Sequence, residues 1–167
     1  MPSCQTIEEQ LTKLGQIILE SYLQSKKKIL DTARTIAVVG LSSDRTKPGF
    51  TVPAYLQRAG YRIIPVNPNL ETALGEKAYP DLHSVPEPID GVVIFRRPEY
   101  IVPIVEEAIE IGAKFVWMQL GIVNHKAARL AREAGLDVVM DACMMVEHRA
   151  LGIRNSGSGN IDHFALT

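Results

Sequence analysis

Apolar positions recur at two different spacings along the chain, and the change between them divides it. Leu11, Leu14, Ile18 and Tyr22 follow at three- and four-residue steps, the period of one helical face. Thr6, with Glu9 three residues on, has the form of a capping box and predicts a helix start there. Gly15 interrupts the pattern, so a second, shorter helix is expected from Ser25. From residue 35 the period changes. The run TIAVVG is short, continuously apolar and closed by glycine, as expected of a strand buried on both faces. Similar runs cover residues 61–66, 90–95, 114–118 and 136–140. A weak short strand is expected near Ala78 and Tyr79.

Helical spacing fills the gaps between these runs. Residues 48–59 place Val52, Tyr55, Leu56 and Ala59 on one side. Residues 98–111 direct Ile101, Ile104, Val105, Ala108 and Ile109 inward, and residues 124–134 form a further helix. Pro48 suits a first helical turn, whereas Pro53 argues for a later start. Gly60, Gly112 and Gly135 mark helix ends. Strands alternating with helices imply crossover units, hence an α/β class: a Rossmann-like, doubly wound, mainly parallel sheet. The expected organisation is a helical extension over 1–33, the domain over 34–151, and a Gly- and Ser-rich tail over 152–167 that frays.

Composition narrows the function classes. The 167 residues carry 18 basic and 19 acidic side chains, which gives no support for a nucleic-acid or membrane-surface partner. No apolar run reaches the roughly 20 residues that span a bilayer. The first residues, MPSCQTIEEQL, lack the features of a secretion signal, so a cytoplasmic protein is expected. Two cysteines, Cys4 and Cys143, are too few for a disulfide framework, and no zinc-ligand spacing occurs.

In a doubly wound sheet, ligands bind beyond the carboxyl ends of the strands. The loop after the first strand is the most informative end. Gly40 lets a ligand approach the backbone; Ser42, Ser43 and Thr46 offer hydroxyls; Arg45 and Lys47 offer charge. The next helix adds the positive end of its dipole, which favours phosphate. Two familiar phosphate motifs fail. The nucleoside-triphosphatase loop needs a second glycine where Arg45 stands. The dinucleotide fingerprint needs a glycine where Ser42 stands, and a carboxylate where the second strand ends in Asn67 and Pro68.

The segments TIAVVGLS, GYRIIPVNP, DGVVIFR and GAKFVWMQLG, in that order, resemble the bacterial CoA-binding protein family, as does the closing VVMDACMMVEH. These are small stand-alone domains similar to the N-terminal CoA-binding domain of the succinyl-CoA synthetase α subunit. The family commonly has Asp-Arg-Cys where this chain has Asp141, Ala142 and Cys143. The resemblance implies coenzyme A, or an acyl-CoA, as the small-molecule ligand. By position, Gly40 and Ser42, with Ser43 beside them, would meet the pyrophosphate, and Arg45 and Lys47 would neutralise phosphate charge. Asn67 and Pro68 would lie beside the adenosine, and Phe95 and Arg96 would border the adenine or pantetheine path. Synthetase chemistry needs a phosphorylated histidine from another domain, so a carrier, sensor or enzyme partner is expected, with no catalytic or metal-binding residue assigned. An NAD(P)-linked oxidoreductase and an interaction module with a vestigial pocket stay open, as does a homodimer.

Other residues have plainer readings. Lys26, Lys27 and Lys28 are expected on a solvated face, and Glu147 and His148 on a surface helix. His83 and His125 are expected to be exposed and Trp117 to sit in the core. Cys143 reads either as a small buried residue or as a thiol that forms a mixed disulfide with CoA.

Overall fold

The computed structural model describes residues 4–153. The tail from residue 154, where fraying is expected, lies outside the described residues. The sheet consists of β1 (Thr35–Val39), β2 (Arg62–Val66), β5 (Gly91–Ile94), β6 (Phe115–Met118) and β7 (Asp137–Val139). All its pairings are parallel, in the order β2-β1-β5-β6-β7. A two-residue hairpin, β3 (Thr72–Ala73) and β4 (Glu76–Lys77), stands apart from it. The strand expected near Tyr79 is reduced to a single parallel bridge with Val66.

Side chains alternate between the two faces of the sheet, as strand geometry requires. Ala37, Ile64, Val92, Ile94, Val116 and Met118 face α3 (Ile101–Glu110) and α4 (His125–Glu133). Ile36, Val38, Ile63, Val93, Phe115 and Trp117 face the opposite layer. That layer holds α1 (Cys4–Thr32), α2 (Pro48–Arg58) and α5 (Met144–Leu151). Trp117 is fully buried, and its indole N–H donates to the Ala142 carbonyl at 2.8 Å. Pro65 lies in edge strand β2, where a missing N–H is tolerated.

Three expectations change at helices. The N-terminal segment is one continuous helix from Cys4, so Thr6 stands inside it rather than at its start, and Gly15 does not break it. Its first turns carry Ile7, Leu11, Leu14 and Ile18 exposed on one stripe, and only its second half joins the core through Ile29 and Leu30. Secondly, α2 starts at Pro48 despite Pro53. Pro53 cannot donate to the Gly49 carbonyl four residues back. The Ser42 N–H donates there instead, at 3.0 Å. Thirdly, the helix expected from Pro98 opens as a 3₁₀ turn (Pro98–Tyr100) before α3 begins.

Polar residues at the α1–α5 contact correct the surface reading of this region. Lys26 is buried, with Nζ 3.0 Å from Glu147 Oε1 and over the Tyr22 ring. Lys27 and Lys28 stay exposed and pair with Asp31 and Asp137. His148 is only 6% exposed, because α5 turns it inward toward α2. Its Nδ1 lies 2.8 Å from the Tyr55 hydroxyl, and the rings of Tyr55 and Tyr61 meet it edge-on. His83 and His125 are exposed, as expected.

Burial disfavours the charged imidazolium and lowers the pKa of His148 from its ordinary 6.5. The unfolded chain then binds a proton that the folded chain resists. Stability supplied by neutral His148 is present above pH 6.5 and is lost as pH falls from there toward the lower folded value. The urea midpoint should fall between pH 7 and about pH 5, before the carboxylates titrate. His148→Gln should flatten that slope; a slope unchanged in the variant would remove His148 from the account.

Candidate functional site

Chain order reverses between β1 and β5: β2 lies on one side of β1, and β5 on the other. Loops leaving the two strands diverge at such a switch point and leave a crevice. A cavity of about 960 Å³ opens there. Of the expected residues, Gly40, Ser42, Ser43, Lys47, Asn67, Phe95 and Arg96 line it. Pro68 lines a smaller neighbouring cavity of about 260 Å³, together with Asn67 and Arg96. Arg45 lines neither and stands over the Phe50 ring at 5.8 Å.

Gly40 leaves β1 with φ +84°, a conformation that favours glycine. An added Cβ would lie 2.5 Å from the Phe95 carbonyl oxygen. The Gly40 N–H donates to the Val66 carbonyl at 2.9 Å. Gly40 therefore sets how closely β1, β2 and β5 converge beneath the cavity. Beyond it the loop holds its own shape. Ser42 Oγ accepts from the Asp44 N–H, and Asp44 Oδ1 accepts from both the N–H and the hydroxyl of Thr46. The Thr46 bonds, with Lys47 nearby, hold the Asp44 carboxyl below its usual value. The Thr46 hydroxyl thus belongs to the loop's own framework. Lys47 ends the loop as the N-cap of α2, with no side-chain cap bond, and Pro48 follows. The Lys47 side chain makes no bond to this helix end, and its Nζ is exposed 3.9 Å from Asp44.

The other strand ends complete the wall. Asn67 Nδ2 donates to the Leu41 carbonyl and Asn67 Oδ1 accepts from the Asn69 N–H, so this side chain ties the β2 end to the β1 loop. Phe95 is half-buried, and the exposed Arg96 guanidinium lies over the Tyr100 ring. Arg97 also lines the cavity. After β6 come Gln119, Leu120, Gly121 and Ile122, with the Gly121 N–H bonded to Asp141 Oδ1. Cys143 and Met145 close the far side. The cavity thus joins a cationic side, at Lys47, Arg96 and Arg97, to an apolar one, at Leu120, Ile122 and Met145.

The description "CoA binding domain" fits the family model that matches residues 34–149. This chain belongs to the CoA-binding domain family. The match spans the whole sheet and every loop around the cavity. The domain is 43% identical over 122 residues to the uncharacterized protein YneT of Bacillus subtilis, covering 73% of this chain and 90% of that one. It is 36% identical over 138 residues to acetate–CoA ligase (ADP-forming) II of Archaeoglobus fulgidus, covering 80% of this chain but 20% of the ligase. A hypothetical protein from Pyrococcus horikoshii OT3 superposes with a TM-score of 0.76 at 39% identity, covering 78% of this chain and 92% of that one. YneT and the Pyrococcus protein are therefore like it in extent, whereas the ligase carries a related domain within a much longer chain. Among the described residues no helix is long and apolar enough to cross a membrane.

Asp44, Gln119 and Met145 were not assigned from the sequence. Gln119 follows β6, whose end could be located, and Met145 lies in the first turn of α5, but nothing in their spacing shows which side chains turn inward. Asp81, His83 and Glu107 come close enough together to share a cation. Their polar atoms already serve the fold: Asp81 accepts from Ser84, Glu107 from the Leu82 N–H, and His83 pairs with Glu110. Gly40→Ala should cost roughly 1–3 kcal/mol from backbone strain alone, with the Phe95 contact adding to it. Its urea midpoint should drop at an unchanged slope. Wild-type stability in Gly40→Ala would contradict the close β1–β5 approach.

Proposed function

We propose that the cavity binds coenzyme A or an acyl-CoA, with the diphosphate at the loop of residues 40–47 and the pantetheine arm toward Leu120 and Met145. The observation that carries this reading is the pairing of an uncapped helix N-terminus and Lys47 with an apolar wall across one continuous cavity. CoA has the same division: phosphates at one end and a largely apolar, thiol-ended arm at the other. Helix ends and lysine favour phosphate for reasons of charge alone. Arg96 and Arg97 supply further positive charge, suited to the additional phosphate on the ribose. The role is that of a carrier, sensor or enzyme partner.

NAD(P) is the ligand to exclude. Asn67, where a dinucleotide fold would place a carboxylate, is engaged with the Leu41 carbonyl and the Asn69 N–H. Calorimetric titration with CoA, acetyl-CoA, NAD and NADP in one low-salt buffer tests the reading. CoA or its thioester should bind, NAD should not, and added salt should weaken the binding. Lys47→Ala should weaken it about tenfold, equivalent to ~1.4 kcal/mol. Arg45→Ala should cost less, because Arg45 lies outside the lining. Wild-type affinity in Lys47→Ala would overturn the phosphate placement, and NAD binding without CoA binding would overturn the ligand.

A further inference from the structure

Cys143, Gln119 and the N-terminus of α5 meet in one wall of the cavity. Two bonds hold the chain before Cys143 over the end of β6: the Ala142 N–H donates to the Met118 carbonyl, and its carbonyl accepts the Trp117 indole N–H. Ala142 and Met144 are buried, while Cys143 between them is half-buried and lines the cavity. Cys143 is the N-cap of α5, yet its side chain makes no cap bond, so the sulfur is uncommitted at the positive end of an eight-residue helix.

Gln119 supplies a second, independent observation. It is 3% exposed and lines the same cavity. Its Oε1 accepts the Met144 N–H at 3.3 Å, next to Cys143. Its Nε2 has no hydrogen-bond partner among the described residues. A buried amide donor left unpaired costs about 1–3 kcal/mol. The donor is covered in this structure although its residue lines the cavity, so a turn of the Gln119 side chain would bring it to an acceptor there; the two amide carbonyls of a pantetheine arm are acceptors of that kind. Cys143 lies beside β6, two strands from β1 and so roughly 10 Å across the sheet from the loop of residues 40–47. An extended pantetheine arm anchored by its phosphates at that loop reaches such a distance, and it ends in sulfur.

We propose that Cys143 captures this sulfur, reacting with the disulfide form of CoA to give a Cys143–CoA mixed disulfide. The proposal rests on the reading of the cavity as a CoA site. The Cys143 thiolate, its proton lost to solvent, attacks one sulfur of the CoA disulfide. The new S–S bond forms as the old one breaks, and the second CoA departs as a thiolate that takes a proton from water. The CoA disulfide is the oxidant, and excess thiol reverses the step by the same exchange. The domain would then register the balance between the thiol and disulfide forms of its own ligand.

The test uses the full chain, reduced and freed of small thiols. It is mixed with CoA disulfide or, separately, with glutathione disulfide at equal concentration. Intact mass and peptide mapping follow the adduct, and calorimetry measures reversible CoA binding in parallel. One CoA per chain should appear on Cys143, at least tenfold faster than glutathione, and dithiothreitol should remove it. Lys47→Ala should slow the reaction with CoA disulfide more than that with glutathione disulfide, because only the former uses the phosphate end. If CoA binds reversibly but Cys143 stays unmodified, or reacts no faster than Cys4 or than with glutathione disulfide, the capture proposal is overturned alone. If CoA does not bind, the reading of the cavity fails and the proposal with it.

Discussion

At Gly40 the backbone leaves β1 in a left-handed conformation, with the Phe95 carbonyl at the end of β5 occupying the space a Cβ would need. A side chain there would push the two strands apart at the point where the sheet changes direction. The close approach lets the chain turn sharply over the sheet edge. Gly49, packed at van der Waals distance from the Gly40 carbonyl and Ser42, marks where the start of α2 comes down onto the same spot. Pro53 leaves the Gly49 carbonyl free, and the Ser42 N–H takes it. Two glycines and one proline thereby fix the aim of a helix end at the cavity before any ligand is considered.

A further consequence is economy of charge. The loop contains one acid and two bases, but they do different work. Asp44 folds the loop by accepting from Thr46, and it lies near Lys47. Arg45 is directed onto the Phe50 ring. What remains for a ligand is Lys47 and the helix dipole, with Arg96 and Arg97 on the same cationic side of the cavity. Screening by salt acts on all of these, since each is exposed.

The sheet was legible because its strands are apolar on both faces, a pattern that only a covered parallel sheet requires. The carboxyl ends of the strands were expected to hold the ligand, and the loop stood out by its glycine and basic residues; the strand order that opens the crevice came from the structure. Legibility ended where an answer depended on contacts between distant segments. Lys26 and His148 look like surface residues in their own helices, and burial comes from the packing of α1, α2 and α5. Pro53 looks like a helix boundary until the Ser42 N–H is seen at the carbonyl it vacates. Arg45 and Lys47 are equivalent as charges in sequence; the local turn around Asp44 separates them. Gln119 carries no spacing signal, and its unpaired amide emerges only from the packed wall.

The central claim is that one cavity accepts the phosphate and thiol ends of a CoA molecule together. Backbone amide shifts recorded during a titration of the labelled protein with CoA test it most directly. The account predicts saturable changes at two separated places: Ser42, Ser43 and Gly49 around the helix end, and Gln119, Gly121 and Cys143 at the far wall. Changes confined elsewhere, or none in a folded sample at saturating CoA, would contradict it.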